Sequence, residues 1–234
     1  RRLLHDVSHE LRSPLARLQA AIGLARQQPE KLEASLDRIE RESGRLDELV
    51  GELLTLSRLE AGTSGAADEE IDLVELVQGI ADGERFEAEA NGRQVEFAGA
   101  GEAIVKVRAE LLHRAFENVI RNAVKYTREG TTVEVRVERQ PTPDRLIVTV
   151  NDRGPGVPES DLSAVFEPFF RSGSGVKTAG FGLGLAIARR AIEAHGGNIR
   201  ALNRPEGGLR VEIVLPAGES VPAGQGTASM TVMR

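Results

Sequence analysis

Apolar residues recur three or four positions apart through the first quarter of the chain. Leu4, Val7, Leu11, Leu15, Leu18, Ile22 and Ala25 fall on one stripe of a helical repeat, with no strand-like alternation. Pro29 interrupts, and a second stripe runs through Leu32, Leu36, Ile39, Leu46, Leu49 or Val50, Leu53 and Leu56. The pattern predicts two helices of nearly equal length, each about 40 Å long, joined by a turn at Gln28-Pro29. A hairpin of this size buries too little to stand alone. Its stripe is wide enough for more than one partner, so a four-helix bundle made by two chains is expected.

From Ile71 the pattern is mixed. Helical spacing covers Leu73 to Ala90, Glu110 to Tyr126 and Gly182 to His195, and Gln94 to Phe97 reads as extended. Val133-Val135-Val137, Ile147 to Val150 and Arg210 to Leu215 read as strands. Strands and helices without strict βαβ alternation predict an α+β sandwich, one sheet with helices on one face. The expected division is a helical hairpin over 1–61, a linker over 62–70, the α+β domain over 71–217 and a disordered tail over 218–234, rich in Gly, Ser, Thr, Pro and Ala.

Composition narrows the chemistry. Only 3 % of the 234 residues are aromatic, so the cores must be aliphatic. A formal charge of −6 gives no pull toward nucleic acid or an anionic membrane. With no cysteine, disulfides, thiolate metal sites and cysteine nucleophiles are excluded. No apolar run reaches the roughly 18 residues of a membrane helix. The chain opens inside a helical pattern without an initiator Met and reads as a fragment, with any membrane anchor expected upstream.

His9 stands two residues from both Val7 and Leu11, roughly 200° around the helix from each and off the apolar stripe. By spacing alone it is also readable as a solvated surface histidine. His5, four residues earlier, admits a two-histidine metal pair, but His113 and His195 belong to the other region and supply no third ligand. The block Val7-Ser8-His9-Glu10-Leu11-Arg12-Ser13-Pro14-Leu15 adds a proline that removes a backbone donor and bends the helix one turn after His9. A neutral imidazole can attack phosphorus through one nitrogen while the other N–H becomes acidic, and Glu10 is placed to accept that proton.

Four further segments carry polar chemistry. Asn118, Asn122 and Lys125 share one helix face at i, i+4 and i+7, suited to a hydrated Mg²⁺ and the phosphates it bridges, although a polar solvent face would read the same. Asp152-Arg153-Gly154-Pro155-Gly156 follows a strand directly. Its glycines let the backbone approach a flat ligand, and its carboxylate can accept an amino hydrogen. Phe166, Phe169 and Phe170 precede Arg171 and a small, polar stretch, Ser172 to Ala179, expected to be a mobile lid. Gly180-Phe181-Gly182-Leu183-Gly184-Leu185 opens a helix whose N–H groups can face phosphate. It matches neither a dinucleotide-binding nor a P-loop fingerprint.

The block around His9 resembles the histidine box of bacterial sensor histidine kinases of two-component systems, and is similar to that of Cpx-type envelope-stress kinases and their metal-responsive relatives. The four later segments resemble the asparagine, first glycine, phenylalanine and second glycine boxes of the ATP-binding fold shared by histidine kinases, gyrase, Hsp90 and MutL. Together they span roughly residues 1 to 216. The resemblance implies a homodimer that uses ATP and Mg²⁺ to phosphorylate His9 and then an aspartate of a response-regulator receiver domain. The receiver is expected to dock near Arg17, Ala20, Ala21 and Leu24. It also implies a cytoplasmic portion whose parent sits in the bacterial inner membrane.

By position, His9 would be the acceptor and Glu10 its base. Ser13 would occupy a place linked to dephosphorylation of the partner, where the family often has Thr or Asn. Asn122 and Asn118 would hold Mg²⁺, Lys125 and Arg171 would contact phosphates, and Tyr126 would lie against adenine. Asp152 would take the adenine amino group on a turn made by Gly154 and Gly156, with Gly180, Gly182, Leu183 and Gly184 forming the phosphate loop. Phe181 departs from the small or hydroxyl residue usual there. The alternative is an ATPase of the same fold that hydrolyses ATP to drive a conformational cycle. Those enzymes carry a water-activating Glu four residues before the Mg²⁺-binding Asn, where this chain has Asn118, and Glu117 points about 100° away. An anti-sigma serine kinase would lack the hairpin, and a degenerate ATP-binding module would have broken boxes.

Overall fold

The structure is a computed structural model that describes residues 2–61, 67–172 and 180–217, with side chains from residue 6 onward. The tail over 218–234, and the greater parts of the segments read as linker and lid, lie outside the described residues. Helix α1 (Arg2–Gln27) runs unbroken through Pro14, and a short turn at Pro29–Lys31 leads to α2 (Leu32–Glu60). The two helices pack side by side. On α2 the buried positions Ser35, Glu42, Leu49 and Leu56 recur every seven residues, and on α1 so do Pro14 and Ala21. This is the seam of a coiled-coil-like pair. A second line, including Leu15, Ile22, Leu36 and Val50, stays between 38 % and 53 % exposed. The hairpin thus covers one apolar line and leaves another open.

The remainder follows as β1 (Glu69–Asp72), α3 (Leu73–Ala90), β2 (Gln94–Gly99), β3 (Ile104–Val107), α4 (Ala109–Tyr126), β4 (Thr132–Pro141), β5 (Asp144–Asn151), α5 (Gly184–Ala194), β6 (Asn198–Asn203) and β7 (Leu209–Pro216). Strands β1 and β3 form an antiparallel pair. The main sheet has the order β2-β4-β5-β7-β6, parallel between β2 and β4 and antiparallel elsewhere. One face of β4, β5 and β7 is aliphatic, as period-two alternation requires: Val133, Val135, Val137, then Leu146, Val148, Val150, then Val211, Ile213, Leu215. Leu112, Phe116, Val119 and Ile120 of α4 and Ala188, Ala191 and Ile192 of α5 bury against that face. This is the expected sheet with helices on one side. Strands β1, β3 and β6 are additional to the sequence reading, and α5 starts at Gly184, two residues later than its spacing suggests.

Asp72 caps α3 by accepting from the Val74 N–H at 2.9 Å and ties in β3 through the Ala103 N–H at 3.0 Å. The hairpin and the α+β domain meet in a separate apolar cluster, in which Leu49 and Leu56 of α2 pack with Leu183 and Ile187 beside Phe169 and Phe181.

Candidate active site

The segments after the hairpin converge on one cleft of about 640 Å³. Helix α4 turns its apolar stripe into the core, so its opposite face brings Asn118, Asn122, Lys125 and Tyr126 to the cleft. Asp152 and Gly156 enter from the end of β5, and Arg171, Gly180, Gly182 and Gly184 from the far side. Gly154 is buried behind them.

Asp152 is held from several directions. Its side chain is 5 % exposed, and Oδ1 accepts from the N–H groups of Gly154 at 2.7 Å and Leu209 at 3.0 Å. Its own N–H donates to the Leu209 carbonyl at 2.9 Å, and Arg204 Nη1 donates to its carbonyl at 2.9 Å. With Oδ1 taken by two backbone donors, Oδ2 is the acceptor left to face the cleft. Burial pushes this carboxyl above the usual range, against the pull of the Gly154 and Leu209 N–H groups and the Arg204 guanidinium. Gly154 must be glycine, because a β-carbon there would stand 2.5 Å from the Tyr126 carbonyl oxygen. That close approach stacks the turn after β5 on the end of α4. Thr127 Oγ1 accepts from the Arg153 N–H at 3.1 Å across the same junction.

The other end of the cleft gathers cations, with Glu48, Glu52, Glu84 and Glu87 also in its lining. Arg121, Lys125 and Arg171 converge there, and the Lys125 ammonium lies 5.3 Å from the Tyr126 ring centroid. Burial, then the charges of Arg171 and Arg121, depress the Lys125 pKa, against Glu48 and Glu52. Three cations brought this close favour an anionic ligand. Asn118 is 9 % exposed, and its Oδ1 accepts from Arg121 Nη2 at 2.8 Å. Gly182 has φ +77°, and its carbonyl accepts from the Phe169 N–H at 3.0 Å. Phe169 itself adopts φ +62°, which is uncommon for a bulky residue. The strained turn thus clasps the phenylalanine segment to the glycine loop.

The three phenylalanines take separate places. Phe166 enters the main core, Phe170 packs against that core and lines the cleft, and Phe169 joins the cluster against α2. Leu183, read as part of the phosphate loop, brings no side chain to the cleft. Its side chain is fully buried against Leu49, Leu56 and Ile187.

His9 and Ser13 are exposed on α1, and Glu10 is half-buried. Among the described residues no part of α1 reaches the cleft, whose hairpin wall is Glu48 and Glu52 of α2. The Ser13 hydroxyl accepts from Arg17 Nη1 at 2.6 Å, and Arg17 Nη2 pairs at 2.9 Å with the buried Glu42 of α2. Sequence reasoning missed Arg121, Thr127, Arg204 and the two α2 carboxylates. Arg121 stands between the two asparagines and had a positional signal, while the others act through contacts distant in sequence. Among the described residues no helix is long and apolar enough to cross a membrane.

Comparison with known proteins identifies the family of both parts. Residues 1–62 match the His Kinase A (phospho-acceptor) domain, and residues 107–219 match the histidine kinase-, DNA gyrase B- and HSP90-like ATPase family. Sensor histidine kinase CpxA of Escherichia coli strain K12 is 38 % identical over 219 residues, covering 92 % of this chain and 46 % of CpxA. The chain therefore spans about half the length of this curated relative. Among solved structures, the mycobacterial sensor histidine kinase MprB is 31 % identical, with a TM-score of 0.57 over 64 % of this chain and 97 % of that one. Full-length ShkA in complex with AMPPNP is 26 % identical, with a TM-score of 0.66 over 92 % of this chain and 45 % of that one. A phospho-acceptor hairpin and an ATPase-type domain, joined in one chain and matched together by such relatives, place this chain in the sensor histidine kinase family.

Proposed function

We propose that this chain binds Mg·ATP in the cleft, phosphorylates its own His9, and passes the phosphoryl group to an aspartate of a response-regulator receiver domain on the cytoplasmic side of a membrane. Residues 1–61 carry the acceptor and the dimer contact, and residues 71–217 hold the nucleotide. One observation carries the reading: a single cleft has a fixed carboxylate acceptor at one end and three cations at the other, in a chain that displays His9 on a separate helix.

Asp152 Oδ2 takes the adenine amino group and Tyr126 lies against the ring. Lys125 and Arg171 meet the phosphates, with the N–H groups from Gly180 to Gly184 around them. Two neutral carboxamides, in a structure whose described residues hold no cluster of three His, Asp or Glu ligands, suit a hard cation that arrives already bound to phosphate. Asn122 would hold Mg²⁺ with Asn118 assisting, and the ion would supply neutralisation of phosphate charge. A ring nitrogen of His9 forms the new N–P bond as the bond from γ-phosphorus to the bridging oxygen breaks and ADP leaves. Glu10 accepts the proton from the other ring nitrogen. His9 lies outside the cleft, so the apolar contact of Leu49 and Leu56 with Leu183 must open first. A second copy covers the exposed line through Leu15, Ile22, Leu36 and Val50 and completes the bundle.

Hydrolysis is less well supported. Asn118 is an amide and no base, its oxygen is engaged by Arg121, and Glu117 lines an adjoining groove against α2 and is not in the lining of the cleft itself. Incubation with γ-labelled ATP tests the proposal. Wild type should carry an acid-labile, base-stable label, and His9→Gln should carry none. Label persisting in the variant, or surviving acid on the wild type, overturns the assignment.

A further inference from the structure

The phosphate end of the cleft is walled partly by the hairpin. Glu48 and Glu52 of α2 line it together with Asn118, Arg121 and Lys125. They are carried there by α2 itself, whose Leu49 and Leu56 dock on Leu183 and Ile187. These two carboxylates, together with Glu84 and Glu87 of α3 in the same lining, are unexpected for a site that must receive a triphosphate.

Arg121 connects the two sides. Its Nη2 donates to Asn118 Oδ1 at 2.8 Å, and the same nitrogen lies 4.0 Å from Glu52 Oε1. The Glu52 side chain is 17 % exposed, and its Oε2 is buried without a hydrogen-bond partner among the described residues. Burial, with Glu48 nearby, pushes the Glu52 carboxyl up to about 7, against the charges of Arg121 and Lys125. A carboxylate so poorly compensated is costly to keep in place. It is also placed to repel phosphate oxygens.

We infer that Arg121 is a positioning residue that couples the hairpin to the nucleotide site, and that Glu52, with Glu48, competes with the triphosphate for it. While α2 is docked, Arg121 faces Glu52 and holds the Asn118 oxygen, so neither is fully available to Mg·ATP. A triphosphate entering the cleft takes Arg121 and Lys125 from the two carboxylates, and α2 is then held by its apolar contact and the hydrogen bond from Arg114 to Thr55 Oγ1 at 2.7 Å. Nucleotide loading and release of the hairpin become one linked equilibrium, and by linkage the docked arrangement binds ATP more weakly than the open one. This inference rests on the proposal that the cleft binds Mg·ATP.

The test measures affinities of the full chain for Mg·ATP and for adenosine by calorimetry. Glu52→Gln should tighten Mg·ATP three- to tenfold and leave adenosine unchanged, since adenosine carries no phosphate. In an Arg121→Gln background the Glu52→Gln gain should shrink below twofold, and Arg121→Lys should restore part of it. Equal Mg·ATP affinity in wild type and Glu52→Gln overturns the inference. So does a gain that extends equally to adenosine, which would mark a general loosening, or one that persists undiminished without Arg121. A wild type that binds no Mg·ATP defeats the nucleotide-site proposal itself, an outcome distinct from the other three.

Discussion

The hairpin and the α+β domain solve opposite problems. In the α+β domain the Asp152 carboxylate at the cleft is held internally, and among the described residues Glu84 Oε2 is the one buried side-chain oxygen of this part without a hydrogen bond. Asp152 alone is fixed through Gly154, Leu209 and Arg204, and one continuous aliphatic core lies behind it. In the hairpin the apolar line through Leu15 and Ile22 is open, and Arg17 Nε, Ser35 Oγ and Glu52 Oε2 are buried without hydrogen bonds among the described residues. A chain that left such groups in a finished core would lose stability at each. The difference is one of degree. Under the proposed function the α+β domain would keep one geometry for the nucleotide, and the hairpin would exchange partners: a second copy, the cleft of its own chain, and a receiver.

The sharpest way to break this comparison is to truncate a side chain on each side of the boundary. Phe116, fully buried in the main core, should cost about 3–5 kcal/mol as Phe116→Ala. Leu183 is equally buried, but its cavity would lie in the cluster between the two parts. Leu183→Ala should therefore cost below about 1.5 kcal/mol in global unfolding, because the contact can open without unfolding either part. Small-angle scattering should instead show a larger mean radius. Urea unfolding followed by circular dichroism checks the first quantity. Equal losses for the two variants would mean that hairpin and domain form one core.

A second change sharpens the comparison inside the cleft. Asp152→Asn can keep Oδ1 and its two backbone donors while replacing the free Oδ2 with an NH₂ group, so one hydrogen-bond acceptor becomes a donor. Facing the adenine amino group, that donor should weaken ATP binding about a hundredfold, roughly 2.7 kcal/mol. Guanine offers an oxygen at the same place, so GTP should lose far less. Calorimetric titration with both nucleotides gives the ratio. A parallel loss for ATP and GTP would place adenine elsewhere.

What could be read in advance followed from how far each feature depends on neighbours in sequence. The hairpin was legible because its repeat is long and uninterrupted. The cleft was legible because Asn118, Asn122 and Lys125 owe their common face to helix geometry alone. Strands β1, β3 and β6 were not legible, since they are four to six residues long and paired by partners elsewhere in the chain. The direction of the Leu183 side chain was not legible, for a local reason. Leu183 sits among glycines whose backbone can face a phosphate, yet its side chain turns the other way, into α2. Glu52 and Arg204 gave no signal at all, because each acquires its meaning across a gap of dozens of residues.

The smallest predicted effect concerns the join of α4 to α5, on which the orientation of the asparagine face depends. His195 follows α5. Its Nε2 accepts from the Arg108 N–H at 3.1 Å, just before the first residue of α4, and Nδ1 lies 2.7 Å from the Ala191 carbonyl. That pattern needs the neutral ring with its proton on Nδ1. A second proton on Nε2 would set donor against donor, beside the Arg108 guanidinium. Burial first, then Arg108, accordingly depress the His195 pKa from its usual value, while the bond to Ala191 and Asp68 oppose them. The folded state thus binds this proton less readily than the unfolded chain. The contribution is fully present above about pH 6.5 and is lost as pH falls from there toward the depressed folded value, with a slope of at most about 1.4 kcal/mol per pH unit. His195→Gln can keep an acceptor for Arg108 and has no proton to gain, so its stability should fall less between pH 7 and 5, by about 1 kcal/mol. Denaturant midpoints across that range for both proteins measure the difference. Parallel curves would mean that the acid sensitivity lies elsewhere, and that α4 is aligned over the cleft by its core packing without this histidine.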